Sequence, residues 1–125
     1  MKFFTLLSIT LISAASAVAQ TAIPTEFPAD AVPLNAPDLT ARLSEKVFVA
    51  KMTDGTDWRY QFKGGYLFFN VSSGYSDSGT WRIEGSNLCL NPKKTAASCS
   101  EMRSKGELLF IKRASNGEVA TLVQR

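Results

Sequence analysis

Residues 54–90, "DGTDWRYQFKGGYLFFNVSSGYSDSGTWRIEGSNLCL", constrain the fold more than any other stretch of the chain. They hold both tryptophans, all three tyrosines and six of the eight glycines, so the bulkiest rings and the tightest turns fall together. Trp58, Tyr60 and Phe62 alternate with Asp57, Arg59, Gln61 and Lys63. A period of two sets apolar rings on one face of a strand and polar groups on the other. The segment "GTWRIEG" repeats the device, with Trp81 and Ile83 opposite Thr80, Arg82 and Glu84. Hairpins of similar length with similar turn chemistry account for the likeness between the two segments, with an internal duplication as the alternative.

The same pattern runs on both sides of this stretch. "KVFVAKM", "DWRYQFK", "YLFFNVS", "TWRIE", "LCLN", "CSEMRS", "ELLFIKRA" and "EVATLVQR" read in order as strands. Asp54-Gly55, Gly64-Gly65, Gly85-Ser86-Asn87, Lys105-Gly106 and Asn116-Gly117 supply turns. "SSGYSDSG" and "PKKTAAS" read as loops. The fold class is therefore all-β, an antiparallel meander of about eight strands forming a small barrel or half-barrel. Two strands, "YLFF" and "ELLFI", are apolar on both faces. A sheet wetted on one side alternates more cleanly, so the helix, the leader or a partner must cover part of the second face. Closing the strands into a barrel removes the edges; a strongly bent open sheet is the competing architecture.

The N-terminus reads "MKFFTLLSITLISAASAVAQ". A basic start, a short apolar run and Ala17-Val18-Ala19 mark a signal peptide over residues 1–19, cut before Gln20, with a cut before Val18 as the alternative. The apolar run is shorter than the ~20 residues of a membrane span, so no stable span is expected after cleavage. Residues 20–35 form a Pro-rich leader holding Pro24, Pro28 and Pro33. Fixed φ and missing N–H donors predict neither helix nor sheet there. Asn35 can cap a helix, Pro37 suits its first turn, and Leu39 and Leu43 share a face. One short helix is predicted over Ala36 to Ser44, with Leu39, Leu43 and Val47 against the sheet or closing one end of a barrel. Residues 36–125 make a single β-domain.

Two cysteines, Cys89 and Cys99, fall in the exported part, and in an oxidising compartment they read as one disulfide. There is no histidine. That excludes a Ser–His–Asp triad and a Cys–His dyad, and two thiols ten residues apart do not make a zinc site. No metal, cofactor or catalytic residue is assigned. Asp54, Asp57, Asp77, Glu84 and Glu101 are the carboxylates that a hydrolytic pair would draw on. Of 14 basic and 11 acidic side chains, Lys2 leaves with the signal, so the mature net charge is +2. That is too mild to imply nucleic acid. From Lys93 onward seven basic residues face three acidic ones, a basic rim.

Most aromatic side chains in this pattern belong to a core. Tyr75, in the polar run "SSGYSDSG", is the exception. It is the candidate ligand-binding aromatic over a sheet mouth, with Lys93, Lys94 and Arg103 as basic candidates. Gly79, Trp81, Gly85, Leu88-Cys89, Cys99 and Gly106 carry a resemblance. The stretch from Leu43 to Val123 resembles a family of small secreted proteins of Gram-negative bacteria whose shared domain has no established reaction. The resemblance implies a β-rich periplasmic domain. The expected function is a non-enzymatic binding or envelope-interaction module, periplasmic or secreted, whose partner is an unknown small ligand or an envelope protein. An inhibitor of a cell-wall-degrading enzyme and a structural part of an envelope assembly are the alternatives.

Overall fold

A computed structural model describes residues 22–125. The expected signal segment, residues 1–19, lies outside the described residues, as do the first two residues of the leader. The elements in order are β1 (Val32–Pro33), α1 (Ala36–Leu43), β2 (Val47–Lys51), β3 (Asp57–Lys63), β4 (Tyr66–Val71), β5 (Ser76–Glu84), β6 (Asn87–Pro92), β7 (Ser98–Lys105), β8 (Leu108–Lys112) and β9 (Val119–Gln124). Every strand pairing is antiparallel. Strands β2 to β9 follow one another around the sheet, and β9 pairs back onto β2, which closes an eight-stranded barrel. The open-sheet alternative is thereby excluded.

Alternation sets the interior. On β3, Tyr60 and Phe62 are buried while Arg59 and Lys63 are exposed. Phe48, Tyr60, Phe62, Leu67, Met102, Leu109 and Leu122 fill the barrel, each no more than 6 % exposed. Eight strands leave an interior just wide enough for side chains, and these occupy it. Phe62 meets Phe48 at 6.0 Å and Trp81 at 5.0 Å, both edge to face. The Trp81 indole N–H donates to the Gly64 carbonyl at 2.9 Å. This ties the ring's polar edge to the β3–β4 turn.

Helix α1 closes one end. Asn35 Oδ1 accepts the Asp38 N–H at 2.9 Å, and a proline stands in the first turn. Leu39 and Leu43 are fully buried in the barrel core. Arg42 donates to the carbonyls of Gly106 and Glu107, which pins the helix to the β7–β8 turn. Val47 does not join Leu39 and Leu43. The β2 alternation buries Phe48 and Ala50 and leaves Val47 half-exposed.

The leader departs from expectation in one respect. β6 pairs with Ser98 to Glu101 of β7, and beyond that point β1 takes over, pairing with Arg103 and Ser104. Proline suits this position because a two-residue edge strand needs few ladder donors. The leader is held elsewhere too. Val119 N–H donates to the Pro24 carbonyl at 2.7 Å, Asp30 pairs with Lys105 at 2.7 Å, and the Arg103 guanidinium lies 4.5 Å from the Phe27 ring centre. These contacts straddle β7, β8 and β9, where outward-pointing Phe110 is only 6 % exposed. The leader therefore lies over part of the second apolar face of β8, at Phe110, while Leu108 on the same face stays 46 % exposed.

The disulfide forms. Cys89 and Cys99 are directly opposed in the β6–β7 ladder and bonded. Leu88, next to Cys89, and Met102, three residues on from Cys99, point inward, so by strand alternation the bridge sits on the outer wall.

Candidate functional site

β4 presents its second apolar face without a cover. Leu67 and Phe69 are buried inside, whereas Tyr66 is 52 % and Phe68 46 % exposed. The two exposed rings are neighbours, 6.4 Å apart and tilted by 33°. Strand register sets polar groups beside them. Arg59, Asn70 and Ser76 form one row across β3, β4 and β5; Gln61, Phe68 and Ser78 form the next. A groove of about 460 Å³ runs over this outer face, lined by Arg59, Gln61, Phe68, Asn70, Ser78 and, from the β6–β7 loop, Lys93 and Lys94.

Asp77 builds one wall of the groove. Its carboxylate accepts the Ser78 N–H at 2.7 Å and the Lys94 N–H at 3.0 Å. Burial pushes the carboxyl up, but the backbone donors of Lys94, Ser78 and Lys93 and the Lys94 charge outweigh it and hold it below the ordinary range. A carboxylate bound this way is a structural acceptor that fixes the β6–β7 loop to β5. Lys94 Nζ then donates to the Ser76 carbonyl at 2.5 Å and stands 5.5 Å from the Tyr75 ring centre.

The structure brings three of the four sequence-derived candidates together. Tyr75, Lys93 and Lys94 meet at the groove; Arg103 does not. It sits on the outer wall of β7, bonded to Glu101 at 3.1 Å and stacked on Phe27 of the leader. Tyr75 also differs from a residue of a long loop. Gly74, at φ 107°, closes a short turn in which Val71 N–H donates to the Tyr75 carbonyl, and β5 begins at the next residue. Tyr75 is 39 % exposed and packs on Phe69 at 6.3 Å. It braces Lys94 from beside the groove.

Arg59, Tyr66 and Phe68 complete the site, and residue types alone do not single them out. Their signal in the sequence is the two-faced apolarity of "YLFF", which shows that one face lacks a partner without showing which.

The carboxylates do not assemble into a pair. Asp54 accepts from Thr56 in the β2–β3 turn, Glu84 pairs with Arg82 and Glu101 with Arg103. Glu118, buried at the other end of the barrel from α1, accepts from Thr53. Glu84, Cys89 and Cys99 stand close enough to share a metal, but both sulfurs are spent in the disulfide. A second groove, about 670 Å³, lies beside Arg42, Leu108 and Val123. Its cation, Arg42, is held in place by the Gly106 and Glu107 carbonyls, and no exposed aromatic ring lines it.

Fold and face together define a small closed β-barrel with a packed interior, one helical plug and an external aromatic and basic groove. Comparison with protein-family models, curated proteins and solved structures finds no match to the chain. No helix among the described residues is long and apolar enough to cross a membrane.

Proposed function

We propose that the protein is a non-enzymatic binding module that works outside the cytoplasm and captures its partner on the outer face of β3, β4 and β5. The observation that carries this reading is the exposed Tyr66–Phe68 pair, of which Phe68 lines a groove shared with Arg59, Lys93 and Lys94. Exposed aromatic side chains clustered with polar groups mark interaction sites. The packed interior favours an external site, because a ligand enclosed by the strands would have to displace Phe62 or Met102. The N-terminal signal pattern and the disulfide support that compartment. The absence of histidine from the sequence, together with an Asp77 carboxyl held down rather than raised, supports a binding role over hydrolysis.

Co-sedimentation of the mature chain with an isolated cell-envelope fraction tests the face. Phe68→Ala should reduce the bound fraction about fivefold with an unchanged melting temperature, because Phe68 packs outside the core. Equal capture by the variant and the natural chain would remove this face from consideration.

A further inference from the structure

The charge around the groove narrows the ligand. Elsewhere on the barrel, Arg82, Arg103 and Lys105 are paired with Glu84, Glu101 and Asp30, while Lys63, Lys112 and Arg113 lie outside the groove without an ion pair among the described residues. Arg59, Lys93 and Lys94 make no ion pair among the described residues. The one acid that lines the groove, Asp77, is ionised and held by the backbone N–H groups of Ser78 and Lys94. The groove therefore carries three cations against one carboxylate, an excess of positive charge, and a ligand that neutralises it must bring anions.

The remaining lining sets the other requirements. Gln61, Asn70, Ser76 and Ser78 are neutral groups that both donate and accept, suited to hydroxyl-rich partners. Phe68 lines the groove and Tyr66, outside the lining, lies beside it along the same strand, so the two rings offer an apolar strip that runs on from the groove. The groove is open along the sheet and Phe68 stands at its middle row. A ligand with spaced anions, many hydroxyls and flat apolar faces meets all three conditions.

We infer that this face binds an acidic polysaccharide. The proposal rests on the reading of the β3–β5 face as the binding surface. Arg59 at one side and Lys93 and Lys94 at the other grip the anions, the amides and hydroxyls between them take the sugar hydroxyls, and Phe68 and Tyr66 carry sugar faces. Single-stranded nucleic acid shares the anions and flat faces. It fits less well with a face of neutral amides and hydroxyls on an exported chain.

Equilibrium binding of the full mature chain to polygalacturonate is the test, with its methyl ester and oligothymidylate as comparison probes. The ester keeps the sugar chain and removes the charge. Polygalacturonate should bind, and more weakly as salt rises. Esterification should weaken binding about tenfold. The double variant R59Q/K93Q should do the same; it leaves Lys94, which fixes the loop, in place. Lys112 on β8, across the barrel, also makes no ion pair among the described residues. K112Q should stay within about twofold of the natural chain. Equal binding of acid and ester overturns the proposal. So does a K112Q loss as large as that of R59Q/K93Q, binding of oligothymidylate without polygalacturonate, or no binding at all. Envelope co-sedimentation separates the two levels. If F68A still loses envelope capture, the face stands and only the acidic polysaccharide fails; if F68A keeps capture, the face itself fails.

Discussion

At Gly79 the backbone of β5 approaches β6 so closely that an added Cβ would lie 2.7 Å from Pro92 Cα and closer still to the Asn91 carbonyl oxygen. The obstruction is backbone, which cannot rotate aside. Gly79→Ala should therefore destabilise the chain by about 1–3 kcal/mol, read as a lower urea midpoint; an unchanged midpoint would mean that β6 yields freely. Charge at the neighbouring residue has a pH signature. The Asp77 carboxyl lies below its ordinary value of 3.8, so the native state favours its ionised form. That contribution is complete above the unfolded value and disappears as pH falls through the lower folded one. Asp54, held down by its hydrogen bonds from Thr56, acts in the same window. Melting temperature should fall on acidification below about pH 4, and Asp77→Asn should flatten that slope. Tyr60 works at the alkaline end. Burial raises its phenol from 10.0 to about 12, against the lowering effect of Arg113. The stabilisation is present below the unfolded value and lost as pH rises toward the folded one, so Tyr60→Phe should blunt alkaline unfolding in that interval.

The elements differ in how local their causes are. Helix α1 follows from its own sequence, and removing its cap by Asn35→Ala should cost about 1 kcal/mol. β1 has no such local cause. It exists because β6 stops pairing at Glu101 and leaves Arg103 and Ser104 of β7 with an open edge. The leader as a whole stabilises by covering Phe110. Phe110→Ala in the full chain should cost about 3–5 kcal/mol. In a chain lacking residues 22–34 the same substitution should cost far less, since Phe110 would already be wet. Equal losses in the two backgrounds, measured by chemical denaturation, would show that the leader is not the cover.

For the whole molecule the question is what keeps the barrel shut. The disulfide closes a loop with a sequence separation of 10, worth about 2–3 kcal/mol in the chain-entropy model. That is less than a typical domain's total stability of about 5–15 kcal/mol. The β9–β2 ladder and the packed interior therefore outweigh it. Reduction should lower the melting temperature by about 10–20 °C and leave a folded chain at room temperature. Loss of the β-sheet circular dichroism on reduction alone would show that the bridge, not the core, holds the wall.

Legibility tracked the range of the interaction. The Trp58–Tyr60–Phe62 alternation, the turn glycines, the Asn35 cap and the opposed cysteines act over a few residues or within one hairpin, and the structure keeps them. In "YLFF" and around Phe110 the sequence shows apolar groups on both faces and cannot rank them. Burial there depends on what lies across the sheet: barrel closure took Leu67 and Phe69, the leader took Phe110, and nothing among the described residues took Phe68. The candidate site divides in the same way. Tyr75, Lys93 and Lys94 are visible by type, but their meeting depends on Asp77 tethering a loop 17 residues away. Arg103 carries the same charge and was drawn off by Glu101 and Phe27. By itself the sequence determined an all-β meander with a capped helix and one staple, because those features follow from backbone periodicity and short-range chemistry. Only the tertiary structure decided that the barrel closes, which apolar face stays wet and which cations stay unpaired, because each depends on contacts between residues far apart in the chain.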